Sequence, residues 1–456
     1  MKIKALSRSQ ATTQRECQGD LRQVHRNLDP SHHPLQRARE YQRAVTSAKL
    51  DRMFAKPFVG SLEGGHRDGV TATCLSRSQL VPFVSGAADG EVMVWDLGSK
   101  TRVTALPGAH SRQVTGLVFD TEGRNFYSCS DDGLVKSWSV YPQNETEYAT
   151  PHGPISTYRS ANVGSFKSID HHYTQSQFAT ASDSSVDIWD PNRNTPLTSF
   201  NNLWHSDDTS IVCRYNPAEH NLLGQCSMDR GIGLFDTRSG TALQKTVLKM
   251  RSNCFAWNPM EPQNFVVGNE DYNAYTFDMR KLDKPTMIYK GHVGAILSIS
   301  WSPTGKEFVT GSYDMSIRIF PRNKGKARDI YHTKRMQRVF TVDYTTDNKY
   351  IISGSADTNL RLWKARASEK IGQTSTREEK SLHYRQALVK KFEHMPEVHK
   401  IHAQRKIPTF IKKQTHVAQI QKESQQRKQE NRAKYDKTGK DQFVAERKTV
   451  VVKQIE

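Results

Sequence analysis

Serine, histidine and aspartate, the residue types of a hydrolytic triad, occur together at three places in the chain. The three sets are His66, Ser85 and Asp89, then His110, Ser128 and Asp132, then His332, Ser353 and Asp357. In a triad the histidine takes the serine proton while the carboxylate holds the imidazole. Each set also ends on a tryptophan six residues after its aspartate, namely Trp95, Trp138 and Trp363. Because the whole group repeats, we interpret it as a buried structural hydrogen-bond network and predict no enzymatic activity.

The spacing of these sets identifies the elements that position them. An aspartate precedes an aromatic residue by six positions seven times, ending at Trp95, Trp138, Trp189, Phe235, Phe277, Phe320 and Trp363. Successive aromatics lie 43, 51, 46, 42, 43 and 43 residues apart, which matches the blade period of about 40 to 45 residues in WD40 propellers. The segments around each aspartate are typical of strand, tight turn and strand. The predicted fold class is all-β, a seven-bladed WD40 β-propeller with basic helical extensions at both ends.

The blades differ in how much of the network they keep. Blade six has His292, Thr310 and Asp314, but it ends in Phe320, which lacks the indole donor. Blades three, four and five lack a small hydroxyl residue four places before Asp183, Asp229 and Asp271. We expect these three blades to lose the internal network and to form the less rigid arc of the ring.

Three segments follow from this pattern: a basic arm with a helix at 1–54, the propeller at 55–364, and a basic α-helical extension at 365–456. Lys56–Leu62 precedes the first complete blade. We predict that it supplies the outer strand of blade seven, because pairing the two ends of the array removes the exposed sheet edges. Apolar residues at helical spacing predict a helix over Leu35–Met53, which docks either on the rim of the propeller or on a partner.

The net charge of +19 is concentrated in the two extensions. Residues 1–54 hold 11 basic and 5 acidic residues, and residues 365–456 hold 22 and 11, which leaves +2 for residues 55–364. Cationic arms on a nearly neutral ring indicate a polyanionic partner, with a solvated helix face as the alternative. The candidate RNA-binding residues are Arg427, Lys428, Arg432, Lys434, Lys437, Lys440, Arg37, Arg39 and Arg43.

Several classes of protein find no support in the sequence. It contains no apolar run of about 18 residues and no apolar signal segment at its start, so we expect an intracellular protein and no membrane partner. Its six cysteines form no C-x-x-C pair, and we expect neither a metal nor disulfides. Without a phosphate-binding loop or a non-repeating nucleophile and base, we expect no cofactor and no small-molecule substrate.

Both extensions resemble those of one protein family. The segments that carry the resemblance are Val24–Pro30, Arg52–Phe58, His394–Glu397, Pro408 and Glu430–Arg432. They are similar to the Sof-like family of WD-repeat ribosome-biogenesis factors, over nearly the whole chain. The resemblance implies a nuclear, nucleolar component of the small-subunit processome, which processes precursor rRNA towards 18S rRNA. The implied partners are precursor rRNA, a small nucleolar ribonucleoprotein and processome proteins.

A second interpretation concerns two blade ends. Some propellers recruit substrates to a cullin-RING ubiquitin ligase and bind its adaptor through a blade that ends in W-D-x-R. The sequences Phe235-Asp236-Thr237-Arg238 and Phe277-Asp278-Met279-Arg280 keep the aspartate and the arginine but replace the tryptophan by phenylalanine. Asp236, Arg238, Asp278 and Arg280 are therefore candidate adaptor-binding residues. The alternative is that they are ordinary blade ends with a surface arginine.

Overall fold

The computed structural model describes residues 30–141, 153–159, 164–201, 209–435 and 445–455. These residues belong to two compact units. One lies within Met1–Pro57 and Arg366–Arg405, and the other within Phe58–Ala365 and Lys406–Glu456. The C-terminal extension predicted as one segment, 365–456, is thus divided between the two units.

The larger unit is a seven-bladed propeller of four-stranded antiparallel sheets, one of which gains a fifth strand. Blade one has β2 (Val70–Leu75), β3 (Pro82–Ala87), β4 (Val92–Asp96) and β5 (Thr101–Leu106). Blade two has β6 (Val114–Phe119), β7 (Asn125–Ser130), β8 (Val135–Ser139) and β9 (Ser156–Tyr158). Blade three has β10 (Phe166–His171), β11 (Phe178–Ser182), β12 (Ser185–Trp189) and β13 (Thr198–Asn201). This confirms the predicted fold class for the first three blades.

The remaining blades follow the same order from inner to outer strand. Blade four has β14 (Ser210–Tyr215), β15 (Leu222–Ser227), β16 (Gly231–Asp236) and β17 (Thr241–Leu248). Blade five has β18 (Ser252–Trp257), β19 (Asn264–Asn269), β20 (Ala274–Asp278) and β21 (Met287–Tyr289). Blade six has β22 (Ile296–Trp301), β23 (Glu307–Ser312), β24 (Ile317–Pro321) and β25 (Asp329–Tyr331). Blade seven has β26 (Val339–Tyr344), β27 (Tyr350–Ser355) and β28 (Leu360–Lys364), with its outer strand taken from the start of the ring.

The core of the ring lies between neighbouring sheets. Val84 and Val94 of blade one pack with Leu117 and Phe126 of blade two, and all four side chains are buried. The second strand of blade one is buried at every position because both of its faces meet another sheet. Burial on both faces explains why these strands are nearly continuous runs of apolar and small residues.

The ring closes through β1 (Phe58–Ser61), which pairs antiparallel with β28. Phe58 lies opposite Trp363, with their ring centroids 5.5 Å apart, and the Leu62 amide donates to the Leu360 carbonyl at 3.0 Å. Leu62 is buried in the apolar cluster shared by blades one and seven. The predicted closing strand within Lys56–Leu62 is confirmed.

The end of the chain adds an element that the sequence did not lead us to expect. After α4 (Thr409–Tyr435), the short helix α5 (Glu446–Val450) leads into β29 (Val451–Ile455). This strand pairs antiparallel with β17, with Lys245 opposite Ile455, and makes blade four five-stranded. Val450 is buried between blades four and five, in a cluster that includes Leu248 and Leu282. The C-terminal extension is therefore not wholly helical.

The described residues of the smaller unit form a 3-10 turn (Pro30–His32) and three helices, α1 (Gln36–Met53), α2 (Thr376–Lys391) and α3 (Pro396–Ala403). Ala44 and Val45 of α1 pack with Leu388, Phe392 and Val398. The predicted helix over Leu35–Met53 is confirmed, and it docks on α2 and α3 of its own chain, which neither of the two expected docking partners included. No helix among the described residues is long and apolar enough to span a membrane.

Candidate functional site

The network predicted for blade two is complete. The Nε2 atom of His110 lies within hydrogen-bond distance of Ser128 Oγ, at 2.7 Å, and its Nδ1 atom lies 3.0 Å from Asp132 Oδ2. The indole of Trp138 donates to Ser128 Oγ at 2.9 Å. Burial acts to raise the pKa of Asp132, but the hydrogen bond and charge of His110 lower it overall. Because Ser128 is fully buried and both of its neighbours hold its oxygen, the hydroxyl links the strands of the blade.

Blade six keeps the part of the network that does not need an indole. His292 lies 2.9 Å from Asp314 Oδ2 and 2.7 Å from Thr310 Oγ1. Burial lowers the pKa of His292, which favours the neutral imidazole. Phe320 packs beside this histidine at a centroid distance of 6.1 Å, as an apolar substitute for the tryptophan.

Blade one differs from the prediction in its carboxylate. His66 contacts Ser85 Oγ at 2.6 Å, and Trp95 donates to the same oxygen at 2.7 Å. The acidic group nearest to His66 Nδ1 is Glu91, at 3.5 Å, whereas Asp89 accepts from the Glu91 amide within the turn. Burial lowers the pKa of His66 to about 4. Asp89 therefore shapes the turn and is not the direct partner of the histidine.

In blade seven, the assignment of His332 to the network is wrong. Trp363 donates to Ser353 Oγ at 2.8 Å as predicted, but the Nε2 atom of His332 lies 3.3 Å from the Lys406 carbonyl. Asp357 is instead paired with Arg361 on the next strand. The histidines of blades one, two and six stand four residues before their inner strands, whereas His332 stands seven before Val339. That difference in spacing is the signal that could have excluded it.

Blade three retains more of a network than predicted. Trp189 donates to Thr180 Oγ1 at 2.8 Å, and Ser165 hydrogen-bonds to Asp183. Thr180 precedes the tryptophan by nine residues, where the serines of blades one, two and seven precede theirs by ten. Thr180 also lies three residues before Asp183, so the expected position four residues before the aspartate does not contain this hydroxyl.

The two candidate adaptor-binding blade ends differ in the contacts that their arginine side chains make. At the end of blade five, Arg280 forms two hydrogen bonds to its own Asp278, through Nε at 3.1 Å and Nη2 at 3.0 Å. This pairing lowers the pKa of Asp278. At the end of blade four, the Asp236 carboxylate accepts from the Arg238 backbone amide at 2.9 Å, and the Arg238 side chain is exposed. Arg238 is thus the better presented of the two.

The basic residues of α4 lie on a helix that hardly packs. Ile411 is its one buried residue in the described part of the chain, and Arg427, Lys428, Arg432 and Lys434 are all exposed. Lys422 of this helix lies 3.7 Å from Glu446, which also pairs with Lys290 of blade five. The predicted helical structure of the basic C-terminal extension is confirmed over Thr409–Tyr435. Two more candidates, Lys437 and Lys440, lie outside the described residues.

The other basic candidates lie on α1. Arg37, Arg39 and Arg43 are exposed, and Arg39 and Arg43 stand one turn apart on one side of a groove between α1 and α2. Arg385 of α2 lines the same groove. The Lys391 to Glu40 ion pair at 2.8 Å joins the two helices that form it, and the contact of Arg52 with the His402 carbonyl at 2.6 Å joins α1 to α3.

Comparisons with known proteins cover the whole chain. The model of the Sof1-like domain matches residues 365–451, and the model of the WD domain, G-beta repeat, matches residues 57–96, 100–139, 283–320 and 330–364. The Danio rerio protein named DDB1- and CUL4-associated factor 13 is 43% identical over 456 residues and 100% of both chains. Protein SOF1 of Saccharomyces cerevisiae is 40% identical over 475 residues, 99% of this chain and 94% of its own. The chain belongs to the Sof1-like family of WD-repeat proteins.

Family membership and structure agree in their details. The Homo sapiens DDB1- and CUL4-associated factor 13 is 44% identical over 452 residues and 99% of each chain, so this Sof1-like chain shares both extensions with it. The four WD-repeat matches correspond to blades one, two, six and seven. Three of these hold the tryptophan-to-serine bond and the fourth holds the histidine-to-aspartate contact, so each matched blade keeps part of the network.

Proposed function

We propose that this chain is a non-catalytic scaffold of the small-subunit processome in the nucleolus, needed for processing of precursor rRNA to 18S rRNA. The propeller binds protein subunits, and the basic helices contact precursor rRNA and the small nucleolar ribonucleoprotein. The observation that carries the proposal is the exposed basic end of α4, where Arg427, Lys428, Arg432 and Lys434 project from a helix without an apolar face of its own at that end. Such a surface suits phosphate contacts better than packing.

The test changes these four residues to glutamine in the full chain and measures its affinity for a single-stranded RNA by fluorescence anisotropy at several salt concentrations. Four lost phosphate contacts reduce the slope of log affinity against log salt by about 3, because each contributes about 0.7 on a single strand. The matched control replaces Lys249, Lys284, Lys306 and Lys349, four exposed lysines of the propeller. Equal slopes in the two variants would refute the role of α4.

In cells, crosslinking of the protein to RNA followed by sequencing should recover precursor rRNA, and the α4 variant should recover less of it. Sedimentation of cell extracts should place the protein in large precursor particles. Absence of enriched RNA from the crosslinked protein would contradict the scaffold role and favour the second candidate.

The second candidate function is recruitment of substrates to a cullin-RING ubiquitin ligase. Relatives carry the name DDB1- and CUL4-associated factor 13, and Arg238 is exposed beside Asp236 at the end of blade four. We expect Arg238→Ala to reduce co-purification of the adaptor more than Arg280→Ala does, because Arg280 is already paired with Asp278. A greater effect of Arg280→Ala would show that the blade-five end is the contact.

A further inference from the structure

A groove of about 500 Å³ separates α1 from α2 in the helical unit. Its lining includes Arg39, Arg43, Ser47, Leu50, Tyr384 and Arg385. Three of these carry a positive charge, and the described lining includes no acidic residue. Leu50 and Leu388 supply apolar surface, and the other side chains supply hydrogen-bonding groups. Its volume falls in the range of pockets that hold small molecules or parts of larger ligands.

Arg39, Arg43 and Arg385 form no ion pair with a carboxylate among the described residues. The carboxylates nearest to them along the two helices contact other side chains, Glu40 with Lys391 at 2.8 Å, Glu378 with Lys370 at 3.4 Å and Glu379 with His383 at 4.0 Å. Arg39 and Arg43 stand four residues apart, so their Cβ atoms are about 5 to 6 Å apart on one face of α1. Arg385 faces them from α2 across the groove. Three guanidinium groups around one groove form a favourable site for phosphate groups.

A second observation points to a ligand independently of charge. Ser47 is 4% exposed and lines the groove, and its hydroxyl has no hydrogen-bond partner within the described part of the chain. A buried hydroxyl without a hydrogen-bond partner destabilises the folded state, because it has lost its bonds to water and gained none in return. A ligand oxygen or base edge that reached into the groove would satisfy it.

Tyr384 identifies the class of ligand. Its ring is 46% exposed at the groove, beside Arg385 in the sequence of α2. Unpaired bases stack on tyrosine rings and on guanidinium planes, while arginines hold the flanking phosphates. We propose that the groove between α1 and α2 binds a single-stranded segment of RNA, with a base on Tyr384 and phosphates on Arg39, Arg43 and Arg385. This deepens the proposed function and rests on it, because it assigns a second RNA site besides α4.

A phosphorylated peptide is the rival occupant, since arginine clusters also bind phosphoserine. The exposed aromatic ring favours RNA, because a phosphoserine site needs converging donors but no stacking surface. Neutral hydrogen-bonding groups from Gln42, Thr46 and Ser381 also suit the polar edges of bases.

The first experiment measures binding of the full chain to a fluorescein-labelled, mixed-sequence single-stranded RNA of twelve nucleotides at several salt concentrations. In the variant R39Q/R43Q/R385Q, the slope of log affinity against log salt should fall by about 2, for three contacts at about 0.7 each. The control K49Q/K380Q/K390Q removes the same charge from exposed positions of the same helices outside the groove. An R39K/R43K/R385K variant keeps the charge and should keep most of the slope, which separates charge from misfolding.

The second experiment isolates stacking. Tyr384→Ala should weaken RNA binding roughly 5- to 100-fold without changing the salt slope, and Tyr384→Phe should bind like wild type. Irradiation of the wild-type complex with ultraviolet light should attach RNA to the peptide that contains Tyr384.

The outcomes separate the two proposals. If the α4 variant loses RNA affinity but the groove variants bind like the K49Q/K380Q/K390Q control, the groove proposal is overturned and the proposed function stands. If the wild-type chain binds no RNA even at low salt, both are overturned. If the groove triple variant keeps RNA affinity but loses binding to a mixed-sequence phosphoserine peptide, the occupant is a protein.

Discussion

Replacing Ser128 by alanine removes one oxygen and leaves two buried polar groups without a partner. The hydroxyl accepts from the Trp138 indole at 2.9 Å and contacts His110 at 2.7 Å, and Ser128 itself is fully buried. Each group left unsatisfied costs about 1 to 3 kcal/mol. We therefore expect Ser128→Ala to lower the free energy of unfolding by about 2 to 6 kcal/mol.

The same substitution in blade seven should cost about half as much. Ser353 is also fully buried and accepts from the Trp363 indole at 2.8 Å, but His332 is not its neighbour. Ser353→Ala therefore leaves one unsatisfied group, at about 1 to 3 kcal/mol. Thr310→Val in blade six should cost at least as much as Ser353→Ala, because it removes the hydroxyl that contacts His292 at 2.7 Å and that donates to the Arg318 carbonyl at 3.3 Å.

The assay is equilibrium denaturation in urea followed by circular dichroism, with Ser111→Ala as the control. Ser111 is exposed in blade two, and its hydroxyl has no hydrogen bond to another described side chain or carbonyl. In a double-mutant cycle, Trp138→Phe should cost less in the Ser128→Ala background than in wild type, because the indole has already lost its acceptor. If Ser128→Ala and Ser353→Ala lowered the free energy of unfolding equally, the assignment of two hydrogen-bond partners to Ser128 and one to Ser353 would be refuted.

Three further predictions concern closure, the terminal strand and a partly buried carboxyl. Deleting residues 1–62 should strongly lower the thermal midpoint of the ring in scanning fluorimetry. Deleting residues 1–57 should not, because only the longer deletion removes β1. Equal losses in thermal midpoint would contradict the closing role of this strand. Deleting residues 451–456 should speed amide hydrogen exchange along Lys245–Leu248 of β17, and unchanged protection there would show that β29 does not pair in solution. Burial raises the pKa of Asp343 to about 6, above that of the unfolded chain, so its contribution to stability grows as the pH falls from 7 through 6 and is complete below about 4. The difference in free energy of unfolding between wild type and Asp343→Asn should therefore favour the variant more at pH 7 than at pH 5, and a constant difference would argue against a raised pKa.

The ring could be predicted from the sequence because its signals are local and repeated. Each turn aspartate and each closing aromatic lies within one hairpin, and the residual strand at Phe58–Ser61 had to pair somewhere to close the array. The helix α1 was predictable from its spacing of apolar residues, but its partners were not, because α2 and α3 follow it by more than 300 residues in the chain.

The strand β29 could not be predicted in the same way. Five residues, Val451–Ile455, form no repeat, and their pairing depends on the free edge of β17, about 200 residues earlier. By contrast, the sequence could have excluded His332 from the hydrogen-bond network of blade seven. It stands seven residues before its inner strand, three more than the histidines of blades one, two and six. In blade one, Asp89 and Glu91 are only two residues apart, so the sequence does not decide which of the two carboxylates approaches His66. In the structure Glu91 approaches it, because Asp89 accepts from the Glu91 amide within the turn.

The position of β29 bears on whether the two proposed functions exclude each other. It pairs with Lys245–Leu248, the second half of β17, while the blade end that carries Arg238 connects β16 to the first half, where Asp236 lies opposite Thr241. Four residues separate Thr241 from Lys245, which is about 13 Å along a strand. The terminal strand therefore covers the edge of blade four without covering its candidate adaptor-binding end. If Arg238 contacts an adaptor, that contact does not require the C-terminal strand to leave the ring, and it is compatible with the proposed RNA contacts of the basic helix α4 that precedes the strand.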